Sequence, residues 1–203
     1  RQQLIDAIGL WTEGSITAST SVPSGQGYGE YGEMNTWDVR GPNGSRITDM
    51  NSLFQNKTTF NEDISNWNVS NVTDMSYMFD VAPAFNQNIS GWNVSNVTTM
   101  RCMFCDATTF NQDLSGWERQ NGVNGATSTS TVGNVTQMES LFRNTPFNQN
   151  ISNWNVSLVE NFGNTFAGTT NFNQPIGNWD VSSAVYMGYM FHNASSFNQS
   201  IGN

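Results

Sequence analysis

The sequence predicts a repeat solenoid: a parallel β-solenoid with short helical turns and an N-terminal capping helix. Three observations lead there. A unit opening with Phe-Asn recurs at Phe60, Phe85, Phe110, Phe147, Phe172 and Phe197, with a period of 25 residues wherever the register is unbroken. Within each unit a strand-like alternation is followed by helix-like spacing. A separate apolar segment precedes the first unit, where a stacked array exposes its core and needs a cap.

That segment comes first in the chain. "RQQLIDAIGLW" places Leu4, Ile5, Ile8 and Trp11 on one helical face, which reads as a capping helix over 4–11. With the Gly- and Ser-rich stretch after it, residues 1–33 form the cap and loop. Residues 34–203 read as a solenoid of six to seven repeats. A divergent first copy runs through Met34, Trp37, Val39, Ile47, Met50, Leu53 and Phe54. Insertions at 40–44 ("RGPNG") and 118–130 ("ERQNGVNGATSTS") have the composition of exposed loops. The chain begins at Arg1 rather than Met and stops at "FNQSIGN", where the next Trp is due. The expectation is a removed leader and a fragment of a longer chain.

The full unit reads F-N-Q-x-I-S-x-W-x-V-S-x-V-T-x-M-x-x-M-F. In the copy from Phe60, Ile64, Trp67 and Val69 predict a short strand. Val72, Met75, Met78 and Phe79 have the spacing of one helical face, with Ser70 and Asp74 as start signals. The residue before each Trp (Asn66, Gly91, Gly116, Asn153, Asn178) is of a type that tolerates a left-handed turn. A unit this small cannot bury its apolar face alone, so copies stack. Strands of successive copies would then pair in parallel about 4.8 Å apart. Asn61, Asn86, Asn111, Asn148, Asn173 and Asn198 would form a structural column whose amides donate to one copy and accept from the next.

Stacking also accounts for the aromatic residues. All thirteen Phe fall on core positions of the unit, Phe162 at a Met position; six of seven Trp and all nine Met do likewise. Core packing therefore absorbs what would otherwise suggest a carbohydrate-stacking surface. Among the tyrosines, Tyr77 and Tyr189 are expected to point outward.

Composition excludes several functions. The 203 residues carry a net charge of −9 and only seven Lys or Arg, so the chain lacks the basic footprint of a nucleic-acid binder. No apolar run approaches the about 20 residues of a membrane helix, so no membrane insertion is expected. His192 is the single His, and no nucleophile–base–acid set is readable, so the chain is not read as an enzyme. No cofactor and no metal site are expected. Cys102 and Cys105 form the one C-x-x-C, half of the four ligands a structural zinc needs, and His192 lies three copies away. A local disulfide or two unpaired thiols are the readings left open. N-x-S/T sequons stand at Asn43, Asn56, Asn68, Asn71, Asn88, Asn93, Asn96, Asn134, Asn150, Asn155, Asn193 and Asn198. They are candidate N-glycosylation sites in a secreted eukaryotic chain, although the consensus "NVSNVT" generates most of them.

The unit "WNVSNVTDMSYMF" with "FNQDLSGW" closely resembles the BspA-like surface-protein repeat, the DUF285 family, over about residues 34–203. That resemblance implies a leucine-rich-repeat-like solenoid: Ile64, Trp67, Val69 and Val72 can be laid on L-x-x-L-x-L-x-x-N. It also implies a role in adhesion or at the cell surface, and brings no catalytic residues. Thr165 in place of the second Met, Ala184 in place of a Val, and the second insertion depart from the pattern. The expected function is an extracellular structural or adhesive building block, secreted or on the cell surface. It would act through repeat-mediated protein–protein assembly, with filaments as one outcome. The alternative is an ice- or glycan-binding module on a rigid face, suggested by Thr73, Thr98 and Thr136 at matching positions.

Overall fold

A computed structural model describes residues 47–118 and 132–202. The capping segment 4–11, Met34, Trp37, Val39, Asn43 and both insertions apart from Glu118 lie outside the described residues. The predicted β-solenoid is corrected. No strand and no sheet form among the described residues, and the one helix is a 3-10 turn at Ser115–Glu118. The segments around Trp67, Trp92 and Trp154 are turns and open chain rather than paired strands. Parallel pairing shrinks to one residue per copy, in the series Asp49, Asp74, Thr99, Gln137, Asn161 and Tyr186.

Competition for backbone donors explains the absence of helix. An α-helix spends each N–H on the carbonyl four residues back. Here the donors alternate. Met50, Ser52, Phe54 and Asn56 donate to the carbonyls of Asp74, Ser76, Met78 and Asp80 in the next copy, each at 2.9 Å. Leu53, Gln55 and Lys57 between them close tight turns onto Met50, Ser52 and Phe54. The same alternation sends Met75, Tyr77, Phe79 and Val81 to Thr99, Arg101, Met103 and Cys105. Apolar side chains at helical spacing are thus compatible with a string of turns, because both place every third or fourth residue inward.

Each copy needs two left-handed residues to make this path. They are Ser52 and Asn56, Tyr77 and Val81, Cys102 and Asp106, Ser140 and Asn144, Asn164 and Gly168, Tyr189 and Asn193. The residues before Trp, expected to supply this conformation, do not have positive φ. Asn dominates the second column, as its tolerance of this region predicts, and Gly168 (φ 68°) fits there without strain. Val81 (φ 52°) is the outlier, a β-branched residue in a region that disfavours it.

The core is a pair of phenylalanine stacks. Phe54, Phe79, Phe104, Phe142, Phe166 and Phe191 follow one another at 5.4–5.8 Å between ring centroids. Phe60, Phe85, Phe110, Phe147, Phe172 and Phe197 form the second stack at 5.8–6.5 Å. Within a copy the two rings are closer still, as for Phe79 and Phe85 at 3.8 Å. The methionine assignment holds for Met50, Met75, Met78, Met100, Met103, Met138 and Met190, which are buried; Met187 is exposed instead. Indole N–H groups of Trp92, Trp117 and Trp179 donate to the carbonyls of Ile64, Ile89 and Ile151 one copy earlier, at 3.0–3.1 Å. The indole nitrogen of Trp154 is buried with no partner. Its counterpart acceptor would be Leu114, at the edge of the 3-10 turn in the copy that the insertion interrupts.

Two substitutions test this packing by chemical denaturation. Phe104→Ala, with two neighbouring rings and a partner within its copy, is expected to lose about 3–5 kcal/mol. Val81→Asn relieves the left-handed valine at an exposed site and is expected to gain about 1 kcal/mol. A neutral or destabilised Val81→Asn would refute strain at that position.

Candidate functional site

Stacking sorts the polar residues into columns, and the sites lie in those columns. The asparagine column is the most regular. The Asn61 Oδ1 accepts the backbone N–H of Asn86, and the same bond runs from Asn86 to Asn111, Asn148, Asn173 and Asn198 at 2.9–3.1 Å. The amides of Asn61 to Asn173 therefore receive a main-chain donor from the next copy, not the amide of the next asparagine in the column. The adjacent glutamines reinforce the joint. Gln87, Gln112, Gln149 and Gln174 donate to the carbonyls of Asn61, Asn86, Asn111 and Asn148, and Gln199 to the Asn173 side chain.

The sequons have a structural use of their own. In Asn68, Asn88, Asn93, Asn150 and Asn155 the side-chain oxygen accepts the N–H two residues on, closing an Asx turn. Asp63, Asp74, Asp113 and Asp180 do the same, so Asp and Asn interchange at these positions because both offer an acceptor. Asn96 and Asn134 instead donate Nδ2 to the carbonyls of Ser70 and Ser95 in the preceding copy. Asn71 is half-buried; Asn56, Asn193 and Asn198 are exposed. Tyr77 is half-buried with the Arg101 guanidinium 5.7 Å from its ring, while Tyr189 faces outward.

The threonines at 73, 98 and 136 form a column whose hydroxyls point along the chain. Thr73, Thr98 and Thr136 donate Oγ1–H to the carbonyls of Thr48, Thr73 and Thr98 at 3.0–3.3 Å. The column continues as Glu160 and Val185, so no run of free hydroxyls extends along the array.

Cys102 and Cys105 are both free thiols, without a disulfide between them. Cys102 is half-buried in a left-handed turn; Cys105 is fully buried and donates Sγ–H to the Ser140 carbonyl at 3.2 Å. Hydrogen bonding with the Cys105 side chain holds the Cys102 thiol below the ordinary range, against the opposing effect of burial. The same interaction, and then burial, pushes Cys105 well above it. His192 lies on the surface against Tyr189, ring centroids 5.8 Å apart, and takes no part in the cysteine pair. Asp80, Cys105 and Asp106 each bring a ligand atom within 4.8 Å of the other two, the one group of its kind among the described residues. Sequence reasoning missed this grouping because Asp80 belongs to the preceding copy.

The family described as "Mycoplasma protein of unknown function, DUF285" matches residues 26–131 and 120–203. The chain belongs to the DUF285 family. No curated protein and no solved structure matches it. Among the described residues no helix is long and apolar enough to cross a membrane.

The thiol pair yields a direct chemical test. In the native, reduced chain, iodoacetamide is expected to modify Cys102 first and to leave Cys105 protected until the fold is opened by denaturant. Equal modification of both residues, followed by mass spectrometry of peptides, would contradict the burial described here.

Proposed function

We propose that the chain is an extracellular structural or adhesive building block that works by repeat-mediated protein–protein assembly. The single observation behind this reading is the set of four backbone N–H groups that each copy donates to the copy after it. Phe162, Asn164, Phe166 and Gly168 donate their N–H groups to Tyr186, Gly188, Met190 and His192 in the following copy. By position, Met187, Tyr189, Phe191 and Asn193 are the next four donors, and among the described residues no backbone carbonyl receives them. Their face is also apolar and open: Val185 is 85% exposed, Tyr189 67%, Ile201 59% and Met187 41%. Apolar surface beside unspent backbone donors is a template for a further unit, of the same chain or of another. The occupant of matching chemistry is a further unit of the same repeat, which offers carbonyls at the same spacing. A head-to-tail contact of this kind that does not close on itself generates a filament.

Few charges and side chains committed to joining copies suit a durable scaffold better than a catalyst. Secretion or display at the cell surface, with glycans on exposed sequons, belongs to the same proposal. The ice- or glycan-binding alternative draws little from the threonine column, whose hydroxyls are spent on backbone carbonyls.

Sedimentation velocity over a concentration series, with negative-stain electron microscopy of the upper range, tests the assembly. Oligomers that lengthen with concentration are expected, and their loss in the surface variant Val185→Lys/Tyr189→Lys. Monomers at every concentration, or assembly indifferent to that variant, would remove the proposal. Thermal hysteresis or a glycan-array signal from such monomers would favour the alternative.

A further inference from the structure

On sequence alone Cys102 and Cys105 are half of a metal-ligand set with no second half in view. Stacking brings a carboxylate of the preceding copy to Cys105. Asp80 occupies, one copy earlier, the same repeat position as Cys105, and Asp106 follows Cys105 directly. Ligand atoms of Asp80, Cys105 and Asp106 converge within 4.8 Å of one another. We propose that Cys105, Asp80 and Asp106 form a three-ligand binding site for a borderline-soft divalent cation of the zinc type.

The donor set argues for that class of ion. Zinc accepts thiolate and carboxylate ligands together, at bond lengths that put tetrahedral donors about 3.3–3.8 Å apart. Calcium and magnesium call for six or more oxygens and no sulfur. Each carboxylate is also oriented from outside the cluster, as ligating carboxylates are. Gln55 donates Nε2–H to Asp80 at 2.8 Å. Arg143 and Asn144 donate to the two oxygens of Asp106 at 2.9 and 2.8 Å. The ligands come from two adjacent copies and the residues that orient them from the copies on either side, so the ion would tie copies together across the stack. The Arg143 guanidinium, 2.9 Å from Asp106, offsets part of the negative charge that one thiolate and two carboxylates bring to one dication. Binding replaces the Cys105 S–H proton by a metal–sulfur bond and releases that proton to solvent.

Cobalt(II) is the probe, because it occupies zinc sites and reports thiolate ligation by an intense charge-transfer absorption. Titrated into the reduced full chain, it is expected to bind one equivalent with that absorption and to be displaced by zinc. Cys105→Ser is expected to abolish the absorption. Asp80→Asn and Asp106→Asn are expected to bind at least about tenfold more weakly. Both aspartates are half-buried, and tryptophan fluorescence verifies that these two variants keep the fold should Cys105→Ser lose it. Absence of one-equivalent binding, binding without thiolate charge transfer, or parental affinity in the folded aspartate variants would each overturn the site.

Discussion

The backbone donors of each copy are divided between two obligations, and the rest of the structure depends on that division. Some close turns within the copy, and others, such as Met50, Ser52, Phe54 and Asn56, reach the carbonyls of the next. Unpaired buried N–H groups are costly, so every copy must present its carbonyls where the previous copy's donors arrive. That requirement fixes register to the residue. It also explains how the interrupted copy is accommodated. Across the insertion the bonded partners Thr98 and Thr136 are 38 residues apart instead of 25, and Asn111 and Asn148 are 37 apart. The chain rejoins in register, and the extra residues leave the stack. The cost surfaces at Trp154, whose indole has lost the carbonyl that its counterparts use.

Identical register turns sequence similarity into side-chain columns. Like stacks on like, so a favourable contact made once is made at every joint. Phenylalanine faces meet at 5.4–6.5 Å throughout both stacks, and the Asn–Gln joint repeats on the outside. Each aromatic pair contributes about 0.5–1.5 kcal/mol beyond its buried area, so stability accumulates along the stack. A unit lacking regular secondary structure can be ordered this way, since its neighbours impose what no helix or sheet within it supplies.

Columns also explain where distinctive chemistry arises. The column Gln55, Asp80, Cys105, Arg143, Ala167 and His192 has no consensus, and it is there that a buried thiol, a carboxylate and a guanidinium come together. The repeat supplies the frame, and departures from the repeat supply the sites. Arg101 beside Tyr77 and Glu139 is a second case of neighbouring copies differing and thereby pairing. Such exposed pairs add little to stability individually, and their value lies in making one copy distinguishable from the next.

The sequence by itself determined the period, the family, and which side chains go inside. Eleven of the thirteen Phe are buried and the other two, Phe191 and Phe197, pack against the core, as their recurring positions require. Those features are legible because they depend on spacing, which a string of turns and a strand–helix unit share. Only the tertiary structure decided the backbone path. I-x-x-W-x-V reads as strand and V-x-x-M-x-x-M-F as helix by side-chain period, yet the donors are claimed by the adjacent copy, a competitor absent from any single unit. The left-handed residues at Tyr77, Val81 and Cys102 follow from that claim and from no local propensity. The partnership of Cys105 with Asp80 was equally out of reach, because residues one period apart become neighbours only after the copies stack.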